Sequence, residues 1–310
     1  MGLVCRQAHL INGRHDDQPL VMLMPPKLPP YPPSSAMGAN PKDAAFQRTL
    51  GALRTGRPAE AEHIANELLR SNAGDLRAMQ LKGMALMMQD RAAEAIAPLE
   101  RVAKQSRDPS ADTQFALALK QSGRRDDALM RLERTVKRHP TFPPAFLELG
   151  SLLTALGRPS EAIAILLKGV AIAPNFADLF LALGQAQQVV GDKASARRSF
   201  EQAVTLAPQN MDAMFACARA CQADCDYTAA AQLYRRMLSL APNDGAAQIG
   251  LGVCLLEMGD EEEGIQRLRA ASRLNAKLFG EALAALVSCG RGKFWLKPSD
   301  AEKYLRGMPS

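Results

Sequence analysis

Three cysteines spaced four residues apart form the pattern in this chain that most resembles a chemical site. Cys217, Cys221 and Cys225 would share one face of a helix, where two thiolates can bind a soft metal ion. A closed zinc site needs four ligands, and no histidine lies near these cysteines in the sequence. Because cysteine also packs well as a small apolar residue, we expect buried side chains here, and we predict no metal and no cofactor. Buried, unpaired thiols are typical of a reducing compartment, so the sequence predicts a cytoplasmic protein.

The remaining polar residues match no catalytic motif. His9, His15, His63 and His139 form no metal-binding pair, and the sequence contains neither a GxSxG elbow nor a GxxxxGK[ST] phosphate loop. Two acidic runs, at 126–127 and 261–263, stand at predicted helix starts, where carboxylates complement the helix dipole. We therefore predict that the protein is not an enzyme, and we expect no small-molecule substrate.

Composition and charge exclude two further classes of protein. The chain of 310 residues is 47% hydrophobic and 23% charged, which is typical of a globular protein. No stretch approaches the roughly 18 apolar residues of a membrane-spanning helix, so we expect no membrane insertion. The net charge is +6, and the dense basic cluster at 124–138 contains acidic residues as well. We interpret this cluster as a solvated helix face with pairs such as Asp127–Arg131, and we consider nucleic-acid binding unlikely.

Residues 1–41 differ from the rest of the chain. Six prolines fall between positions 25 and 33, a composition that favours extended polyproline II conformations over a packed core. We predict a disordered N-terminal tail, with a proline-rich ligand for an aromatic groove as the alternative. Charged residues interrupt the apolar run that a signal peptide would need. A further hypothesis is that Met22 or Met24, not Met1, is the true start.

From about residue 42 the sequence repeats itself. Small residues recur at intervals of 34, 33, 34, 34, 34 and 34 residues, a second column of mostly small residues lies twelve residues before them, and prolines recur from Pro140 to Pro242. Within 177–210, the apolar spacing predicts one helix over Phe180–Val190 and a second over Ala194–Leu206, separated by a Gly191-Asp192 break. Small residues at Gly184 and Ala196 would let these helices approach closely. The first column comprises Ala61, Ala95, Ala128, Ala162, Ala196, Ala230 and Gly264.

The pattern Phe180-Leu183-Gly184-Ala196-Phe200-Pro208 resembles the tetratricopeptide repeat family, whose unit is a 34-residue helix–turn–helix. The resemblance covers residues 42–278 and implies an all-α superhelical solenoid of seven units. Unit two departs from the family pattern, because Lys82 holds a usual leucine position and Pro98 should kink or shift its second helix. The expected unit starts are Lys42, Leu76, Pro109, Pro143, Ala177, Met211 and Gly245.

Residues 279–310 are predicted to cap the array, since the last unit of a solenoid would otherwise expose its apolar flank. We expect a helix over Glu281–Val287 that Gly290 and Gly292 stop. Trp295 is expected to pack back onto the last repeat, with a partner contact as the alternative. A capping box at 299–302 predicts a short final helix.

The family resemblance also implies where a partner would bind, namely the concave groove lined by the first helix of each unit. It implies a non-enzymatic scaffold or adaptor for a partner peptide or helix, and the groove lacks the basic residues of a chaperone carboxylate clamp. Asp212 lies about two turns before Arg219, which should leave that guanidinium largely free for an acidic group of the peptide. The alternative is a recruiting or regulatory subunit of a separately encoded glycosyltransferase or sulfotransferase, since some bacterial proteins join a similar array to such enzymes. The expected partner-binding residues are Lys120, Gln121, Gln185, Gln188, Asp212, Phe215, Arg219 and Gln222.

Overall fold

The computed structural model describes residues 41–288 and four residues nearer the C-terminus, Glu302, Lys303, Leu305 and Arg306. Within the span 41–288 the structure comprises fifteen α-helices and no strand. The helices are α1 Pro41–Arg54, α2 Pro58–Ser71, α3 Leu76–Met87, α4 Ala92–Ser106, α5 Pro109–Gln121, α6 Arg125–Arg138, α7 Pro143–Ala155, α8 Pro159–Ile172, α9 Ala177–Val190, α10 Lys193–Leu206, α11 Met211–Ala223, α12 Tyr227–Leu240, α13 Gly245–Met258, α14 Glu261–Ser272 and α15 Ala276–Ser288.

These helices form successive hairpins, which confirms the predicted all-α repeat architecture. Six of the seven predicted unit starts coincide with the first residue of a helix, and α1 begins at Pro41, one residue before the predicted Lys42. The reason is local: α5, α7 and α8 each carry a proline in the first helical turn, where its missing N–H costs no hydrogen bond. Aspartate or asparagine side chains cap the first helices α3 and α11 in the same way.

The turn inside each hairpin requires a left-handed residue. Gly191 at the end of α9 has a φ of 89°, and Gly259 at the end of α13 has a φ of 93°. Cys225 occupies the same place after α11 with a φ of 60°, so it lies in the turn and not on the helix with Cys217 and Cys221, as we had expected. Those two cysteines are buried, as predicted, at 3% and 2% exposure.

Glycines on the first helices make room for large side chains on the second. A Cβ atom at Gly184 would lie 2.5 Å from the Phe200 ring, which is fully buried. At Gly252 the added Cβ would lie 3.0 Å from the backbone oxygen of Gly264, so these two helices touch through their backbones. The small-residue columns therefore do permit the close helix approach that the sequence predicts.

The chain divides into two compact units, and each has its own core. We call the helices α1–α8 the N-terminal unit, and the helices α9–α15 with the four described C-terminal residues the C-terminal unit. Leucine and alanine dominate the core of the N-terminal unit, with Leu99, Leu132 and Leu166 fully buried. Larger side chains fill the C-terminal unit, among them Phe200 and Tyr234.

Helix α15 packs against α13 and α14 at the end of the C-terminal unit. Its buried Ala282 and Leu286 join Ile249, Leu256 and Leu305 in one apolar cluster. The helix begins five residues before the predicted Glu281, because the side chain of Asn275 accepts a hydrogen bond from the Leu278 N–H at 2.8 Å. The four described residues at 302–306 are helical. Gly290, Gly292, Trp295 and most of the 299–302 capping box lie outside the described residues, as do residues 1–40.

Two expectations about individual residues were wrong. Helix α4 continues without a break through Pro98 and begins in register, because Leu99 and Val102 on either turn are buried in the core. Arg131 does not pair with Asp127; it donates to the buried carboxylate of Asp112 on α5. A buried carboxylate requires a partner, so Asp112 draws the arginine inward, off the solvated face.

Candidate partner-binding face

The predicted partner-binding residues of the C-terminal unit lie on two first helices, α9 and α11. On α11 the intervals between them are three, four and three residues, so they share one helical face. The opposite face of α11 is buried, with Ala213, Met214 and Cys217 at 3% exposure or less. We call this accessible surface the first-helix face; it comprises Asp178, Leu181, Gln185 and Gln188 of α9 and Asp212, Phe215, Arg219 and Gln222 of α11.

The two helices present the same positions in register, since each residue of the face on α9 has its counterpart 34 residues later on α11. Gln185 and Gln188 are exposed, and the four residues on α11 are partly exposed. Leu181 and Phe215 pack against one apolar cluster of the C-terminal unit. The sequence register therefore places side chains of matching position side by side on this face.

Phe215 is held by an aromatic contact from beneath. Its ring meets that of Tyr234 edge to face, with centroids 6.2 Å apart and an angle of 67° between the planes. Tyr234 is 1% exposed and donates its hydroxyl hydrogen bond to Gln222 Oε1 at 2.7 Å. Gln222 in turn donates from Nε2 to the Gly250 carbonyl at 3.4 Å. Gln222 thus holds Tyr234 under Phe215 and keeps one N–H and one lone pair for other partners.

The N-terminal end of the face is acidic. Asn210 caps α11 by accepting hydrogen bonds from the N–H groups of Asp212 and Ala213 at 3.0 and 3.1 Å. Its Nδ2 donates to Asp178 Oδ1 at 3.5 Å, which brings the two aspartates together. Burial raises the pKa of Asp178, and the negative charge of Asp212 raises it further. No ion pair joins Asp212 to Arg219, as the two-turn separation predicted.

Sequence reasoning did not include Asp178 among the site residues. The available signal was the recurrence of aspartate at the same position of α9 and α11, 34 residues apart. The bridging role of Asn210 had no such signal, because it depends on a contact between residues 32 positions apart.

Lys120 and Gln121 lie in the N-terminal unit, on α5. Lys120 Nζ donates to Glu148 on α7 at 2.9 Å, and the Glu148 side chain is only 11% exposed. Gln121 Oε1 is buried and accepts no hydrogen bond from any described residue. Lys120 therefore links two first helices, and its charge is already balanced by Glu148.

The described residues include no group of three or more histidine, cysteine, aspartate or glutamate side chains that could hold a metal ion. Among the helices of 41–288, none is long and apolar enough to cross a membrane.

Comparisons with known proteins agree with this architecture. Two family models, both described as tetratricopeptide repeat, match residues 46–111 and 181–245 in one case and residues 119–186 and 222–288 in the other. No curated protein matches the chain.

Several solved structures are similar in fold. A tetratricopeptide repeat protein from Parabacteroides merdae is 13% identical, with a TM-score of 0.56 over 79% of this chain and 98% of that one. The pilF protein of Pseudomonas aeruginosa is 18% identical, with a TM-score of 0.54 over 67% of this chain and 95% of that one. The hetero-tetramer Cut9–Hcn1 of the APC/C gives 18% identity and a TM-score of 0.61 over 78% of this chain, which spans 49% of the matched chain.

These identities show the fold alone. The two family models together match residues 46–111 and 119–288, which is more than half of the sequence. The chain belongs to the tetratricopeptide repeat family.

Proposed function

We propose that this protein is a non-enzymatic scaffold that holds a peptide or helix of a partner protein on the first-helix face of α9 and α11. The repeat fold is consistent with a protein-interaction scaffold. The observation that supports this particular face is its row of accessible polar and aromatic side chains at matching positions of α9 and α11, above a buried core. That the protein lies in the cytoplasm stays a prediction.

The chemistry of the face suggests what the partner peptide contains. Phe215, partly exposed and supported by Tyr234, offers an apolar anchor. The exposed amides of Gln185 and Gln188 can bond an extended backbone, because each carries both donors and acceptors. Arg219 carries a guanidinium that suits a carboxylate.

The acidic end adds a second charge preference to the one that the sequence predicts. Asp178 and Asp212 repel each other, and a cation from the peptide would relieve that repulsion. Asp212 and Arg219 are seven residues apart on one helix, or about 10.5 Å along its axis. An extended peptide covers that span in about three residues. The peptide is therefore expected to carry a basic residue and an acidic residue about three positions apart, with an apolar residue between them.

A displayed library of random short peptides, selected on the full chain, would test this proposal. Selected peptides would be titrated by calorimetry against the wild type, Phe215→Ala and Arg219→Glu. Phe215→Ala is expected to weaken binding by about 2 kcal/mol, or about 30-fold, through lost burial. Arg219→Glu should weaken binding by charge reversal while leaving helical content unchanged.

The matched control is Arg198→Glu, which makes the same charge reversal at an exposed position of the second helix α10. It should leave the affinity unchanged. Replacing the acidic residue of the peptide with lysine should restore binding to Arg219→Glu. Equal affinity of wild type, Phe215→Ala and Arg219→Glu for the selected peptides would refute the proposed face.

A further inference from the structure

The two departures of unit two from the repeat pattern lie close together in the structure. Lys82 on α3 and Pro98 on α4 both line a cavity of about 530 Å³ between α2, α3 and α4. The positions of Leu149, Leu183 and Leu251 correspond to Lys82 in later units, and all three leucines are buried at 4% exposure or less. Unit two thus places a partly exposed cation where other units place a core side chain.

Unit three shows how the corresponding place is filled elsewhere. Its counterparts of Lys82 and Pro98 are Phe115 and Arg131. The Arg131 guanidinium lies 5.1 Å from the centre of the Phe115 ring and bonds to Asp112, so side chains fill that place. Pro98 carries only a short ring, which reaches far less of the space between α3 and α4. The cavity of unit two follows from this difference in side-chain length.

The walls of the cavity are half apolar and half charged. Leu69, Met79, Leu86, Ala97 and Pro98 give the apolar part. A volume of several hundred cubic ångströms with an apolar lining and a few polar groups is typical of small-molecule sites.

The charged part has an excess of cations. Arg91 bonds to both acidic residues of the lining, Glu62 at 2.7 Å and Glu94 at 2.6 Å, so these charges are matched. Lys82 and Arg101 have no carboxylate within 4.0 Å in the part of the chain that the structure describes. The hydrogen bond from Arg91 keeps the pKa of Glu94 below its ordinary value, and the charge of Lys82 contributes to that lowering. The cavity therefore offers two cations to an incoming anion.

We propose that this cavity binds a small anionic amphiphile, with its carboxylate or phosphate head between Lys82 and Arg101 and its apolar chain against Met79 and Leu86. The two cations can pair with one head group, since lysine supplies a point charge and arginine a planar pair of donors. This site is separate from the first-helix face, and its occupancy does not depend on the peptide proposed there.

Calorimetric titration of the full chain with octanoate, octyl phosphate and octanol tests the proposal. One or both anionic probes should bind saturably, and octanol, which lacks the charge, should bind at least about 10-fold more weakly. The anion that binds better identifies the head group as carboxylate or phosphate. The absence of saturable binding by either anionic probe would overturn the proposal, as would equal binding of octanol.

Three variants test the location of the site. Lys82→Leu installs the residue that units four, five and seven already carry, and it should weaken binding of the anionic probe at least about 10-fold. Arg101→Gln removes the second cation from an exposed position without disturbing the core and should also weaken binding. Lys104→Gln is the control, because Lys104 lies on α4 outside the cavity and pairs with Glu100 at 2.8 Å. Unchanged binding by both cavity variants, or an equal loss in the control, would overturn the proposal.

Discussion

Replacing Gly250 with alanine should destabilise the C-terminal unit and weaken its proposed peptide-binding face at the same time. Gly250 lies on α13, directly against the Tyr234 ring. The added Cβ would stand 2.3 Å from Cζ of that ring and 2.6 Å from Cε1 and Cε2. The ring has no room to move away, since Tyr234 is 1% exposed and its hydroxyl is bonded to Gln222.

Two opposing effects set the size of the change. Alanine is favoured over glycine inside a helix by about 0.8–1.0 kcal/mol. Adding a methyl group to a packed core costs about 1–3 kcal/mol. Gly280 on α15 provides a matched control in the same unit, because a Cβ there would meet nothing within 4 Å. Gly280→Ala should therefore stabilise the unit by the helix term alone, and the two variants should differ by about 1–3 kcal/mol.

Urea unfolding of the full chain, followed by far-UV circular dichroism, would measure both variants against the wild type. Comparing two variants within one unit keeps the comparison valid even where a repeat array loses two-state behaviour. Displacement of Tyr234 should also disturb Gln222 and Phe215, so Gly250→Ala should weaken binding of the selected peptide. Equal stability of Gly250→Ala and Gly280→Ala would refute the packing described for Tyr234.

Three further predictions concern charged groups. Asp178→Asn should raise the melting temperature at neutral pH, because burial and the charge of Asp212 raise the pKa of Asp178 and so penalise its ionised form; the gain should fade as the pH falls below about 3.9, and melting curves from pH 7 to about 3 would show whether it does. Asp112→Ala should cost about 3–5 kcal/mol in urea unfolding, since it leaves Arg131 largely buried without its carboxylate, whereas replacing both with leucine should cost much less. Arg197→Ala should cost about 1 kcal/mol at low salt and less at high salt, because Arg197 bonds to Glu201, Asp224 and Asp226 at a partly exposed site; a salt-independent loss would contradict this.

The helix starts could be predicted from the sequence because their causes are local. Proline at the start of α5 and α7, and the aspartate or asparagine before α3 and α11, act within one helical turn. The face of α11 could be predicted for the same reason, since the helical period alone brings Asp212, Phe215 and Arg219 to one side.

The contacts between helices could not be predicted in this way. Arg131 lies four residues from Asp127, yet it bonds to Asp112, because the depth of that carboxylate is decided by the packing of α5. The bond from Tyr234 to Gln222 links two helices and depends on the space that Gly250 leaves on a third. Repeat columns fix which helices meet, whereas the identity of the bonded pairs depends on burial, which the columns do not contain.

Photo-cross-linking at two positions tests the proposed face most directly. A photoreactive amino acid would replace Gln185, which is exposed on the first helix α9, or Arg198, which is exposed on the second helix α10. Each protein would be irradiated with the library-selected peptide, and the adduct would be mapped by mass spectrometry. Binding on the first-helix face predicts an adduct from position 185 and none from position 198. An adduct from position 198 with none from position 185 would contradict it.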